Sequence, residues 1–318
     1  MKRFIMLLAM LPVLAQAWQP IRPVTAIVPI NRGSSQETVF RELTKIVNQS
    51  QPDPVFVIQN MPGAEGVVAM NHMLGVPADG HTIVVPNPIS VYITSPVAHA
   101  KLVQYQPSDF VNIVTMGRSP LILIAHPDST VRTPRDFVNL IRTTTRPVSI
   151  GMGGGFHGYA FDYIMKQAQG NSLLVHAIKF NSGTPAVISV AGYSGKDGTE
   201  FALVPIPVAK SLLDAGRVRA IGITSNQPMP GLTVPLMSEV IPGMNFFSTW
   251  CISLPATTPR PVQDWYQQTF SAAVKSKEFQ QWAVANYIIV DDRELATAGV
   301  QRMLAEQQQQ FQPLLNKK

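Results

Sequence analysis

One short polar loop carries residues whose types and spacing suit the binding of an anion. Gly33 allows a backbone conformation that a side chain would resist, and Ser34 and Ser35 belong to the residue types preferred at helix N-caps. The free N–H groups at the start of a helix form a ready anion site. We therefore predict that these three residues hold a carboxylate through backbone N–H groups. An ordinary helix cap without a ligand is the alternative.

Two charged side chains of the same loop allow more than one role. Arg32 could make a two-pronged, charge-assisted contact to a carboxylate, or it could be a solvated side chain at the rim. Glu37 falls in the first helical turn, where it could point back to the loop as in a capping box or face the ligand. We favour a contact for Arg32 and a cap for Glu37. Both are candidate ligand-binding residues, together with Ile30.

A second glycine-rich loop follows a later apolar run. Gly153, Gly155 and Gly158 have the spacing of a dinucleotide-binding fingerprint between a strand and a helix. A Rossmann enzyme would also need an acidic residue about 20 residues further on, and residues 177–181 contain none. The same geometry still forms an anion-binding helix start, so we expect this loop to face the first one across a cleft. Its candidate binding residues are Gly153, Gly154, Gly155 and His157.

Further polar candidates follow other predicted strands. Asn87 comes after the third predicted strand, and Asn181 and Thr184 precede a predicted helix. Turn formation alone explains each of them. The six histidines lack the spacing of metal ligands, and neither a Gly-x-Ser-x-Gly elbow nor an HExxH helix occurs. We expect no metal and no cofactor, but a hydrolase using Ser34 or Ser35 with a distant histidine stays open.

The elements that position these loops alternate along the chain. Apolar runs predict strands, and helical periodicity follows most of them. An α/β fold with mostly parallel sheets follows from this alternation, and ligands in such sheets bind at the carboxyl ends of strands. Strands are predicted at residues 25–28, 55–58, 82–85, 121–125, 148–152, 173–177, 201–204, 220–224, 246–254 and 288–290, and the last helix at residues 293–311.

Composition and the first residues describe a packed, exported protein. The chain has 318 residues, enough for two domains. Its net charge is +6, but the sequence contains no dense run of Lys and Arg, so we expect no nucleic-acid partner. A secretory signal peptide is predicted over residues 1–17 from Lys2 and Arg3, an apolar run over residues 4–14 and an Ala-x-Ala site.

The single cysteine, Cys251, cannot form an internal disulfide, and we expect a buried, inert thiol there.

Five short motifs occur in a fixed order along the mature chain. They are Val28-Pro29 with the following turn, NMPGAEG at 60–66, PADGHT at 77–82, AGRVRA at 215–220, and Trp250 before LPATTP at 254–259. In this order the chain resembles the Bug receptors, the periplasmic solute-binding proteins of tripartite tricarboxylate transporters. That family has VPF-x-PGGS-x-D, NRPGAGG, P-x-DGYT, AGKLRAL and FAPAGTP at the corresponding places. Arg32 and Glu37 depart from the first motif, so the identity of the ligand does not carry over.

The resemblance implies a two-lobe periplasmic binding protein of the second type, a Venus flytrap in which each lobe is a mostly parallel sheet flanked by helices. Lobe 1 is then expected at residues 18–118 and 251–318, and lobe 2 at 119–250. The implied function is capture of a small carboxylated solute in the periplasm, without catalysis, by a monomer that transiently contacts the membrane permease subunits of the transporter. A ligand-sensing receptor for a membrane sensor and an exported cleft enzyme are the alternatives.

Overall fold

The computed structural model describes residues 18–50, 56–195 and 197–315, so the predicted signal peptide lies outside the described residues. Strands and helices alternate over most of this range. The strands are β1 (Val24–Val28), β2 (Phe56–Asn60), β3 (Thr82–Val84), β4 (Phe110–Ala125), β5 (Val148–Met152), β6 (Val175–Lys179), β7 (Phe201–Pro205), β8 (Arg219–Ile223) and β9 (Phe247–Pro255). The helices are α1 (Ser35–Ser50), α2 (Val67–Met73), α3 (Ser95–Ala98), α4 (Pro134–Thr143), α5 (Gly155–Ala168), α6 (Gly183–Ala191), α7 (Ile206–Asp214), α8 (Arg260–Lys275), α9 (Lys277–Ala285) and α10 (Thr297–Leu315).

The first strand group forms around β1, whose apolar side chains are almost all buried, as expected for an inner parallel strand. β2 and β3 flank β1 in parallel, and β9 continues the sheet antiparallel to β3. The first part of β4 then pairs antiparallel with β9, from Phe110 opposite Pro255 to Pro120 opposite Phe247. Phe40 of α1 stacks on Phe270 of α8, and both rings are buried against this sheet.

The second strand group begins where β4 passes Pro120. From Leu121 to Ala125, β4 pairs antiparallel with β7 on one side, and it pairs with β8 on the other. β5 lies parallel to both β6 and β7. Because β4 belongs to both groups and β9 runs beside it as far as Pro120, two adjacent antiparallel strands carry the chain between the groups.

The length of β4 differs from the sequence prediction of a strand at 121–125 only. Its first half contains Asn112, Thr115 and Gly117, which interrupt the apolar pattern, and its pairing with β9 carries two register shifts. The structure satisfies these polar groups internally. Ser253 donates a hydrogen bond to Asn112, and Thr115 donates one to the carbonyl of Glu294. A buried strand can therefore include polar residues that an apolar-run criterion rejects.

Three other predicted elements also shift. β6 begins at Val175 rather than Leu173, because Asn171 accepts the N–H of Leu173 and holds that residue in a turn. The predicted strand at 288–290 is reduced to a single bridge between Ile289 and Arg118. The last helix begins at Thr297, since Asp291 caps a short 3₁₀ turn over residues 292–294.

Helix α10 contacts both strand groups. The ring of Phe311 is buried against Phe156, Tyr159 and Phe246, all of which lie within the second group. Just before α10, Glu294 pairs with Arg118 of β4 at 2.8 Å. The end of the chain is thus tied to the linking strands at one point and to the second group at the other.

Cys251 lies in β9 and is buried. Burial raises the pKa of its thiol to about 12, although a hydrogen bond with Ser253 acts in the opposite direction. The thiol is therefore protonated and unreactive at neutral pH, as predicted.

In the described part of the chain, no helix is both long and apolar enough to cross a membrane.

Candidate functional site

A cavity of about 530 Å³ lies between the two strand groups. We call it the central cavity. Its walls come from the loops that follow β1, β2, β3, β5, β6 and β7, with Ser248 and Trp250 of β9 at its base. Most of these loops leave the carboxyl ends of parallel strands, which is where open α/β sheets bind their ligands.

The starts of three helices line the central cavity from both sides. Ser34, Ser35 and Gln36 bring the start of α1 from the first group, while the starts of α5 and α6 come from the second. The first turn of each helix carries backbone N–H groups without intrahelical partners, and the aligned peptide dipoles add partial positive charge there. The two groups thus direct several N–H donors and positive dipole ends at one shared space, which suits an anion.

The start of α1 is fixed by Ser34 and Glu37. The Ser34 hydroxyl accepts the N–H of Glu37, as an N-cap does, at 3.3 Å. In return the Glu37 carboxylate accepts the N–H of Gly33 at 3.3 Å and the Asn60 amide at 3.0 Å, and it pairs with Arg41 at 2.6 Å. Burial alone would raise the pKa of Glu37, but the hydrogen bonds from Arg41 and Asn60 and the charge of Arg41 outweigh it and lower this pKa.

Nine of the thirteen predicted binding residues line the central cavity. They are Ile30, Ser34, Ser35, Asn87, Gly153, Gly154, Gly155, His157 and Asn181. Two loops far apart in sequence, after β1 and after β5, therefore do meet across one space. Asn87 also shows the turn role expected for it: its side-chain oxygen accepts the N–H groups of Ile89 and Ser90, while its amide donates to Ser248.

Four predicted residues are not part of the cavity lining. Glu37 faces the loop and Asn60, as the capping alternative expects. Arg32, for which we favoured a ligand contact, is instead exposed outside the cavity, because the turn directs the side chain to solvent. Gly33 and Thr184 meet each other: the Thr184 hydroxyl donates to the Gly33 carbonyl at 2.7 Å. That hydrogen bond joins the start of α1 to the start of α6 across the two strand groups.

His157 is buried beside the second glycine loop. Burial lowers the pKa of its imidazole to about 3, so the ring is neutral at physiological pH. Its Nδ1 has no hydrogen-bond partner among the described residues. A neutral imidazole at a cavity wall can donate or accept one hydrogen bond without adding charge.

Several lining residues were missed by the sequence analysis. Gln36 donates to the Val85 carbonyl and ties α1 to β3, while Glu65, His99 and Lys179 bring charge or titratable groups to the cavity. Glu65 lies within a motif that the analysis noted, but only as a family signature. A charged residue where the family motif has a glycine was the available signal, but it does not by itself show that this position reaches a cavity.

The backbone around Glu65 is unusual. Ala64 and Glu65 have φ angles of 44° and 56°, in the left-handed region, which costs roughly 1–2 kcal/mol per residue with a Cβ. The hydroxyls of Ser90 and Ser95 both donate to the Glu65 carbonyl, at 3.4 and 3.0 Å, and hold this conformation. Non-glycine residues kept in such a conformation by their surroundings cluster at binding and catalytic sites.

The described residues include no group of three or more His, Cys, Asp or Glu side chains that could hold a metal ion.

Comparison with known proteins agrees with the resemblance that the five sequence motifs indicated. A family model described as a tripartite tricarboxylate transporter family receptor matches residues 39–318. Among curated relatives, the protein BugT of Bordetella pertussis is 25% identical over 236 residues, covering 72% of this chain and 68% of the relative. Both findings confirm the resemblance inferred from the five motifs.

Solved structures agree in fold. Rpa4515 of R. palustris with adipate superposes with a TM-score of 0.85 at 20% identity, covering 93% of this chain and 96% of that chain. MatC from Rhodopseudomonas palustris with bound malate gives a TM-score of 0.83 at 20% identity, covering 94% of this chain and 100% of that chain. The chain therefore has the two-lobe α/β fold of the second type of periplasmic binding proteins.

Proposed function

Because the chain belongs to the tripartite tricarboxylate transporter receptor family, we propose that it captures a small carboxylated solute in the central cavity and delivers it to the membrane permease subunits of such a transporter. The observation that carries the proposal is the meeting of helix starts from both lobes, α1 from one and α5 and α6 from the other, at one cavity. Their unpaired N–H groups can hold carboxylate oxygens without a cofactor or metal. The adipate and malate in the two related structures support a carboxylate as the ligand class.

The lobes in this proposal follow the boundaries expected from the sequence, 18–118 with 251–318 and 119–250. The pairing pattern supports them, since β4 leaves the first sheet after Pro120 and β9 begins at Phe247. These two strands then act as the hinge. A solute that contacts both lobes binds the closed form better than the open one, and it therefore shifts the equilibrium toward closure.

Export to the periplasm fits both the family and the residues after the predicted cleavage site. Trp18, the expected first residue of the mature protein, packs its ring against His81, Trp265 and Tyr266. An anchored residue at this place supports a mature chain that starts at Trp18. Mass spectrometry of the exported protein should find this N-terminus, and an exported species that retains Met1 would contradict the cleavage.

A thermal-shift screen of mono-, di- and tricarboxylates followed by calorimetry tests the proposed function. A ligand present at about 100 times its Kd should add about 2.7 kcal/mol to the free energy of unfolding. Acidic solutes should bind without turnover, and neutral analogues of the same size should not bind. Conversion of a bound acid would favour an exported enzyme, and a receptor that acts without a permease would favour the sensing role.

A further inference from the structure

The central cavity contains a carboxylate of its own, that of Glu65, and we propose that this residue determines which acids bind. It makes the receptor select aminocarboxylates, which carry an ammonium group at the end opposite their carboxylate, over dicarboxylates of the same length. This inference rests on the proposed function and names the substrate class of the same site.

Glu65 has a fixed position in the cavity wall. Its backbone adopts a left-handed conformation at φ 56°, and two hydroxyls hold its carbonyl there. Its side chain is only 15% exposed and extends across the cavity to the opposite lobe. There the carboxylate lies against the first residue of α5, because a Cβ added to Gly155 would come within 2.0 Å of Glu65 Oε2. The carboxylate therefore stands at the start of α5.

The hydrogen-bonding capacity of this carboxylate is incompletely satisfied. Oε1 faces Lys179 Nζ at 3.5 Å, but that lysine side chain is 74% exposed, so solvent screens the pair. Oε2 is buried and has no hydrogen-bond partner among the described residues. His99 Nε2 lies 3.7 Å from Oε2, too far for a hydrogen bond, and it also has no hydrogen-bond partner in the described part of the chain. A buried carboxylate oxygen without a donor is unfavourable, and an ammonium group on the solute would satisfy it.

The Glu65 carboxylate would also disfavour a solute with a second carboxylate. A second carboxylate at the Glu65 end would meet a like charge at short range, and the two charges would repel each other. Among the described residues that line the cavity, Lys179 is the only Lys or Arg side chain available to offset that repulsion. The starts of α1 and α6 meet at the hydrogen bond between Thr184 and Gly33. They remain to hold the carboxylate of the solute itself.

Calorimetry on matched probe pairs tests the inference. The pairs are succinate with 4-aminobutanoate, glutarate with 5-aminopentanoate, and adipate with 6-aminohexanoate, so each pair differs only in the group at one end. We compare affinities within the probe pair that the wild-type protein binds most tightly. In that pair, the affinity for the aminocarboxylate should exceed that for the dicarboxylate by about 10-fold or more, the scale of a charge-assisted hydrogen bond. Glu65→Gln should lower the affinity for the aminocarboxylate by roughly 10-fold and raise that for the dicarboxylate.

Two further variants make the test specific. Glu65→Gly removes the carboxylate while favouring the left-handed backbone, so it should fold and show the same reversal of preference. Glu278→Gln neutralises an exposed carboxylate on α9, outside the cavity lining, and should leave both affinities unchanged.

The possible results distinguish a failure of the Glu65 assignment from a failure of the proposed function. A wild-type preference for the dicarboxylates, or an unchanged preference in both Glu65 variants, would overturn the role of Glu65 and leave a carboxylate receptor intact. Binding of no probe from either class, nor of any acid in the wider screen, would overturn the proposed function and this inference together. Reversal in both Glu65 variants but not in Glu278→Gln supports the assignment.

Discussion

Two charged residues of the first loop have opposite environments. Glu37 is buried and holds Gly33, Asn60 and Arg41, while Arg32, five positions earlier, is exposed outside the central cavity. Residue type and spacing alone allowed either to contact a ligand. The fold places them differently, because the turn that directs the N–H groups inward leaves the Arg32 side chain exposed outside the cavity lining.

Substitutions at these two positions should therefore separate stability from affinity. Arg32→Ala should change neither, because the side chain is solvated. Glu37→Gln should lower the free energy of unfolding by about 1 kcal/mol through loss of the partly exposed Arg41 pair. It should leave affinity almost unchanged, since the amide oxygen can still accept from Gly33. Urea unfolding and calorimetry with one identified acid provide both measurements.

Glu37→Ala is the informative comparison. It leaves the Gly33 N–H and the Asn60 amide without their acceptor, so the loop should loosen and affinity should fall roughly 10-fold, the effect of one or two hydrogen bonds. A strong loss of affinity in Arg32→Ala would mean that the Arg32 side chain contacts the ligand directly. The same would follow for Glu37 if Glu37→Gln lost as much affinity as Glu37→Ala.

His157 should give the protein a pH-dependent stability. Its pKa is about 3 when folded against an ordinary value of 6.5, so between these pH values the unfolded chain binds more protons than the folded one. The stabilising contribution is complete above pH 6.5 and is lost as the pH falls. At about 1.4 kcal/mol per pH unit, it should decline by about 2 kcal/mol between pH 6.5 and pH 5.

The matched variant is His157→Gln, which does not titrate. Urea unfolding at pH 6.5 and pH 5 should show a smaller loss of stability in the variant than in the wild type. Equal losses in the two proteins would show that His157 is solvated or titrates normally in the folded state.

At the level of elements, apolar runs and helix caps were sufficient to predict most of the fold. The capping box of Thr133 and Asp136 and the burial of Val39, Leu43 and Val47 follow from local pattern. The first half of β4 was missed because its polar residues are satisfied by distant partners, such as Ser253 and Glu294, that a local pattern cannot identify.

The candidate site divides in the same way. The glycine and serine positions at helix starts were predictable, since backbone N–H geometry depends on local sequence. Glu65 and Lys179 were not, because each becomes a site residue only when the lobes bring them within 3.5 Å of each other. Contacts between distant segments are the part of the site that a single sequence reveals least.

The meeting of α5 and α6 depends on Gly153. A Cβ at this position would lie 2.2 Å from the Gly183 nitrogen and 2.3 Å from its Cα, both backbone atoms that cannot move cheaply. Gly153→Ala should therefore push the two helix starts apart. We expect a loss of stability of about 1–3 kcal/mol from the overpacking and a larger relative loss of affinity, at least 10-fold.

Gly158→Ala is the control, because Gly158 lies within α5 and an added Cβ there meets no atom within 4 Å. Because alanine favours a helix over glycine by about 1 kcal/mol, this variant should be as stable as the wild type or more so, with unchanged affinity. Normal binding by Gly153→Ala would show that the close approach of α5 and α6 is unnecessary for the site.

The two lobes are joined by more than the linking strands β4 and β9. Side-chain contacts that cross from lobe to lobe around the cavity include three between its opposite walls, namely Thr184 to Gly33 at 2.7 Å, Lys179 to Glu65 at 3.5 Å, and Tyr159 to Thr94 at 3.5 Å. All three can form only when the lobes are close together. In the described structure the lobes are therefore close enough for the helix starts of both to face one cavity.

A change at Thr184 should shift the closed state without touching the ligand. Thr184→Val keeps the shape of the side chain, removes the 2.7 Å bond to Gly33, and lies outside the cavity lining. A single hydrogen bond contributes about 0.5–1.5 kcal/mol, so affinity for an identified acid should fall about 2- to 10-fold, mainly through faster dissociation. Thr143→Val is the control, because the Thr143 hydroxyl bonds only within its own helix, to the Asn139 carbonyl.

Small-angle scattering gives the whole-molecule measurement of the same prediction. The wild-type radius of gyration should decrease on saturation with the acid, because ligand contacts to both lobes favour closure. Thr184→Val should reach the same final radius but need more ligand to do so, while Thr143→Val should follow the wild type. An unchanged radius in the saturated wild type would mean that closure does not accompany binding. Equal ligand requirements in all three proteins would mean that the Thr184 bond does not stabilise the closed form.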